Sequence, residues 1–261
     1  MKKNAIVSFL FVQIFILLLI AFTCFELYTE WINYTKEGLK VTMSSYSIWY
    51  NLFGGRWGQI LCFMSPILIA ISCITPFLIE LESGFYKDII LRKGYFSYFK
   101  TCLMQAYLKA VLIFPVLYGM SFIILSIFFS NHIGNGTGLA IESFAVLHGM
   151  QPLLYILLSI ICVSLYSFVI VNICFIIAYF IQKPAIHFLV TFLFINFINL
   201  LIGNIAPLLL NQFYGFDFYN GFICSNELYI NLTIRLFIFY FILSSMILYF
   251  LYKRKEKVCL L

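Results

Sequence analysis

Apolar residues run along this chain in long unbroken blocks, and the polar positions collect between them. Six blocks stand out, at about 5–25, 59–79, 106–129, 153–180, 188–210 and 232–252. A hydrocarbon layer about 30 Å thick takes roughly 20 apolar residues per helical crossing, so each block predicts one transmembrane helix. Membrane strands would alternate over roughly ten residues, and these blocks do not alternate. The expected fold is an all-α integral membrane protein with six transmembrane helices, formed as a single domain over residues 1–261.

Composition agrees with that pattern. Hydrophobic residues make up 64% of the 261 and charged residues 10%, and there are 31 phenylalanines, a load that no soluble domain of this size keeps off its surface. Lys2 and Lys3 ahead of the first block imitate a secretory signal. The block is longer than a signal core of roughly 7 to 15 residues and lacks a small-x-small cleavage site, so it is expected to be retained as the first span.

The basic residues set the expected orientation. With six spans, Lys2, Lys3, Lys87, Arg92, Lys93, Lys100, Lys183, Lys253, Arg254, Lys255 and Lys257 all fall on one side. That side is predicted to be the cytoplasm, with both termini there. Lys36, Lys40 and Arg56 lie opposite, outnumbered by Glu26, Glu30, Glu37, Glu142, Asp217 and Glu227. The net charge of +6 thus reports topology and calls for no nucleic-acid partner. Outside, residues 26–58 carry Tyr28, Trp31, Tyr34, Tyr46, Trp49, Tyr50 and Trp57, amphipathic rings that suit a segment lying partly on the membrane surface. The other two outer connections, 130–152 with its turn-rich "NHIGNGTG" and 211–231, show no periodicity.

One cytoplasmic segment is substantial. Residues 79–100, "IELESGFYKDIILRKGYFSYFK", hold seven charges, two glycines and a run of aromatics. They read as a short helix from Ser83 as N-cap to Gly94 as stop, with Arg92 and Lys93 in its last turn. Phe85 and Ile89, with Tyr86 and Ile90 beside them, make one apolar face. A helix of about ten residues is marginal alone in water and needs something to lie against. The membrane surface and a partner protein both answer that need.

The same stretch resembles the segment between spans two and three of ABC-2 type transporter permeases, in a bacterial subgroup. There an E-x-x-x-G motif leads into a leucine-rich turn and then a basic residue opening the third span. Glu80, Gly84, Leu91 and Lys100 match that pattern, while Arg92-Lys93-Gly94 replaces the Thr-Pro or Ser-Pro that often follows. The resemblance implies a coupling-type cytoplasmic helix in which Glu80, Glu82, Gly84, Phe85, Ile89, Leu91 and Gly94 meet an ABC ATPase subunit. It further implies pairing with a second copy or a sister permease in the cell membrane, among lipids, and export as the usual direction. No G-x-x-x-x-G-K-[ST] occurs in the chain. No cofactor is expected on it, and ATP and Mg belong to the partner ATPase.

Polar residues inside the blocks are candidates for a substrate path or for helix packing. Asn196, Asn199 and Gly203 recur on one face of the fifth block, and packing is the favoured reading; Asn172 and Gln13 carry the same two readings. Lys109 and Arg235 lie near block ends and can reach back to the interface. Pro115 and Pro207 are placed to bend their helices. His132, His148 and His187 are scattered without ligand spacing, and Glu80 with Glu82 would point to different helix faces, so neither a metal site nor a catalytic pair is expected. The aromatic outer loops point to an amphipathic or hydrophobic cargo, such as a peptide antibiotic, a drug or a lipid-linked molecule. The alternative is a membrane-embedded enzyme or processing factor that uses residues 80–100 as an interfacial anchor.

Overall fold

The computed structural model describes residues 2–36, 44–54, 56–129, 152–210 and 227–259. These are helical apart from short turns, with no β-strand among them. In chain order the helices are α1 (Lys2–Lys36), α2 (Ser45–Gly54), α3 (Arg56–Ile69), α4 (Thr75–Glu82), α5 (Tyr86–Lys93), α6 (Tyr95–Ile113), α7 (Pro115–Phe128), α8 (Pro152–Phe180), α9 (Pro184–Leu210) and α10 (Glu227–Cys259). Each of the six apolar blocks lies in helix. Three stretches, Phe63–Glu82, Tyr95–Phe128 and Ile156–Phe180, are long and apolar enough to cross a membrane among the described residues.

Two of these stretches are broken, each for a local reason. Between α3 and α4 the helix widens into a π-turn, Ala70–Ile74. Pro66 removes one ladder donor upstream, and Ser72 Oγ donates to the carbonyls of Leu68 (2.7 Å) and Ile69 (3.3 Å) within the widened turn. Thr75 Oγ1 donates to the Ile71 carbonyl just below. The second break is at Phe114, where α6 ends and Pro115 opens α7, as the proline predicts. The other proline, Pro207, lies within the helical span of α9.

Helix α6 starts at Tyr95, eleven residues before the apolar block. Its first turns are amphipathic: Tyr95, Tyr98, Phe99 and Ala106 are buried, while Ser97, Lys100, Thr101 and Gln105 are exposed. Mean hydropathy misses such a segment because its polar face dilutes its apolar one.

Most of the packing centres on α8, whose most extensive partner is α10 and which also meets α6, α9, α7 and α3. Ser65 and Tyr166 are hydrogen-bonded at 2.8 Å across α3 and α8. His187, buried at the start of α9, donates from Nε2 to the Cys174 carbonyl of α8 at 2.9 Å and so pins the turn between them.

Part of the 26–58 connection is packed inside. Trp49 of α2 is buried, its indole edge-on to Tyr118 at 5.9 Å, and its Nε1–H donates to the Tyr118 carbonyl at 3.1 Å. Tyr46 meets Phe122 at 5.4 Å. Helix α2 therefore seats against the first two turns of α7, with Trp49 buried and Tyr46 half-buried there. A buried indole needs a partner for its N–H, and the α7 backbone supplies it. Residues 130–151 and 211–226, expected as outer connections, lie outside the described residues.

Candidate functional site

The turn between α4 and α6 is built on two glycines. Helix α4 closes at Ser83, whose N–H donates to the Ile79 carbonyl at 3.0 Å and whose Oγ donates to the Glu80 carbonyl at 3.3 Å. Ser83 thus caps the C-terminus of α4 and not the N-terminus of α5, correcting the expectation from sequence. Gly84 follows with φ 73°, a left-handed turn that a residue with Cβ resists. Helix α5 begins only at Tyr86, with Phe85 ahead of it and no side-chain cap. At its other end Gly94 takes φ 78° and ψ 151°, a region essentially confined to glycine. Its N–H donates to the Ile90 carbonyl at 2.8 Å, so Gly94 is the expected stop and also the corner into α6.

The expected apolar face is divided in the structure. Tyr86, Ile89 and Ile90 are half-buried and pack on the protein's own core. Phe85 is 50% exposed and Leu91 86% exposed, on a short helix that also shows Lys87, Asp88 and Arg92 to solvent. The reason is geometric: at 100° per residue, 86, 89 and 90 share one side of the helix and 91 stands away from it. Ile89 is a seat residue, and Leu91 and Phe85 are the free apolar groups.

Beneath α5 lies an aromatic block contributed by four helices. Phe99 of α6 stacks on Tyr252 of α10 with centroids 3.7 Å apart and planes 12° from parallel. Tyr95 stacks on the same ring at 5.9 Å. Phe175 of α8 meets Phe99 at 5.5 Å and Phe77 of α4 at 4.9 Å. The Tyr252 hydroxyl donates to the Phe175 carbonyl at 3.0 Å, so the polar tip of the buried ring is satisfied. The Tyr98 hydroxyl donates to the Glu80 carboxylate, tying the end of α4 to α6. Glu80 therefore holds the base of the turn together, and Glu82, exposed at the end of α4, points elsewhere. Reading the sequence for motifs did not find this block. Its signal was the buried stripe Tyr95, Tyr98, Phe99 set against Tyr252 in a basic, polar-looking end of α10.

The amides of the apolar blocks divide. Asn172 is buried and hydrogen-bonded throughout: Nδ2 donates to Ser244 Oγ (2.9 Å) and Ser245 Oγ (3.0 Å), and Oδ1 accepts from the Tyr107 hydroxyl. It joins α6, α8 and α10 through these bonds. Asn196 Nδ2 donates to the Phe192 carbonyl of its own helix at 2.8 Å. Asn199 and Gly203 lie in α9, but their side-chain surroundings fall outside the described residues. Lys109 is half-buried in α6 and Arg235 is exposed on α10. Among the described residues no three His, Cys, Asp or Glu side chains come together as a metal site would require.

The chain matches no protein-family model, no curated protein and no solved structure.

Proposed function

We propose that the chain is the permease subunit of an ATP-driven transporter of the ABC-2 type. It crosses the cell membrane six times with both ends in the cytoplasm and exports an amphipathic or hydrophobic cargo. ATP and Mg reside on a separate ATPase subunit, and the permease works as a pair with itself or a sister chain. One observation carries this reading: a short helix, α5, stands between two membrane-length helical stretches, rigidly seated on one face and exposing Phe85 and Leu91 on the other. An interfacial anchor gains nothing from a seat that holds its helix to the protein core. A lever needs one. With Glu80 bonded to Tyr98 and the aromatic block behind, force applied at Leu91 reaches α4, α6, α8 and α10 together.

The test is recovery of the ATPase with the purified permease. Leu91→Asp and Phe85→Asp each place a charge in an apolar contact at a cost of a few kcal/mol, which lowers recovery by more than tenfold. Both residues are exposed, so expression and thermal stability stay at the wild-type level. Undiminished recovery in both variants removes the coupling role and returns α5 to the status of a surface connector.

A further inference from the structure

Helices α9 and α10 both pack on α8, and residues of all three line a half-open slot of about 560 Å³. Val169, Ile173, Ile177 and Phe180 of α8 form the floor, with Phe194 on one wall and Leu243 on the other. That volume is in the range of small-molecule sites, roughly 300–1,000 Å³. From Val169 to Phe180 the slot extends along eleven helical residues, about 17 Å. One leaflet of a hydrocarbon core about 30 Å thick is of that depth.

The end of the slot at Phe180 is marked by cations. Lys183, exposed, follows Phe180 by three residues in the turn to α9. Arg254, also exposed, stands seven residues beyond the wall residue Ile247, two helical turns along the same face of α10. Its neighbour Lys253 is turned away, with Nζ 5.5 Å from the Phe96 ring centroid. Phe180 and Phe250 are exposed near the same ends of α8 and α10, and exposed aromatic residues suit a headgroup layer.

We infer that this slot holds one acyl chain of an anionic phospholipid from the cytoplasmic leaflet, with its phosphate between Lys183 and Arg254. An apolar slot one leaflet deep fits a lipid tail, and a pair of cations at its mouth selects a negatively charged head over a neutral one. The inference rests on the cytoplasmic placement of the basic ends proposed above and does not depend on the ATPase.

The test uses the full chain purified in mild detergent, incubated with an equimolar mixture of phosphatidylglycerol and phosphatidylethanolamine, with the retained lipid quantified by mass spectrometry. The wild-type protein retains phosphatidylglycerol in excess. Lys183→Gln combined with Arg254→Gln lowers that excess about thirtyfold, as removal of two surface cations at about 1 kcal/mol each requires, and Lys253→Gln leaves it unchanged. Leu243→Trp, at an exposed slot position, fills the cavity and reduces both lipids. An unselective wild type, or equal losses in Lys253→Gln and the double variant, overturns the inference. So does disulfide cross-linking of Leu243→Cys between two chains, which would put a second copy in the slot. ATPase recovery is read separately, so either proposal can fail while the other stands.

Discussion

Gly84 and Asn172 each decide one local question, the first through its backbone and the second through its amide. A Cβ added at Gly84 would meet nothing within 4 Å, so the position is constrained only by its φ of +73°. Gly84→Ala is therefore expected to cost about 1 kcal/mol of left-handed strain, and Gly84→Asn less, because Asn tolerates that conformation. Gly84→Pro requires φ near −65° and opens the turn. Thermal unfolding in detergent checks the order Asn, Ala, Pro of increasing damage; equal effects of Ala and Pro would contradict it. Asn172→Ala leaves the Tyr107 hydroxyl and two serines without their shared partner. Intramembrane hydrogen bonds average about 0.6 kcal/mol and reach about 1.7, which for three bonds lowers the unfolding midpoint by several degrees. A stable Asn172→Ala protein with altered cargo preference would instead make Asn172 part of a substrate path.

At the scale of elements, α5 has two faces that respond differently to the same substitution. Ile89→Asp puts a charge against the core and is expected to cost a few kcal/mol, lowering the yield of folded protein, whereas Leu91→Asp leaves yield and thermal stability unchanged. Equal stability of the two variants would mean that α5 is not seated. This division was only partly legible beforehand. Gly94 announces itself, because a glycine after a basic last turn is a helix stop wherever it occurs. Phe85 and Ile89 looked equivalent at four-residue spacing, and only the position of the helix start, two residues later than Ser83 as N-cap suggested, separates them. The early start of α6 escaped for a related reason: its apolar stripe is as narrow as that of a surface helix, and its partner ring, Tyr252, lies far along the chain. The π-turn is set by serine and threonine back-bonds that compete with the ladder, and no hydropathy window registers it. The burial of Trp49 depends on a carbonyl of α7, a contact invisible to local pattern.

For the molecule as a whole, the proposed six-span arrangement predicts which positions reagents can reach. In a chain with its native cysteines replaced, Lys87→Cys and Lys183→Cys should react only when the cytoplasmic face is opened, and Lys40→Cys and Ala140→Cys in intact cells. Labelling of Lys87→Cys from outside would overturn the topology. The stacking of Phe99 on Tyr252 bears on biosynthesis as well. About 150 residues separate these rings, so a ribosome completes α4, α5 and α6 long before the ring that closes their aromatic support has been synthesised. Until α10 is inserted, Tyr95 and Phe99 lack their stacking partner and Phe175 lacks the hydroxyl that its carbonyl accepts. A nascent chain stalled before residue 227 should then leave the 83–94 turn open to protease, and one carried past Tyr252 should protect it. Helix α10 would thereby act as a checkpoint on the 83–94 turn, leaving that surface without firm support until translation has delivered Tyr252.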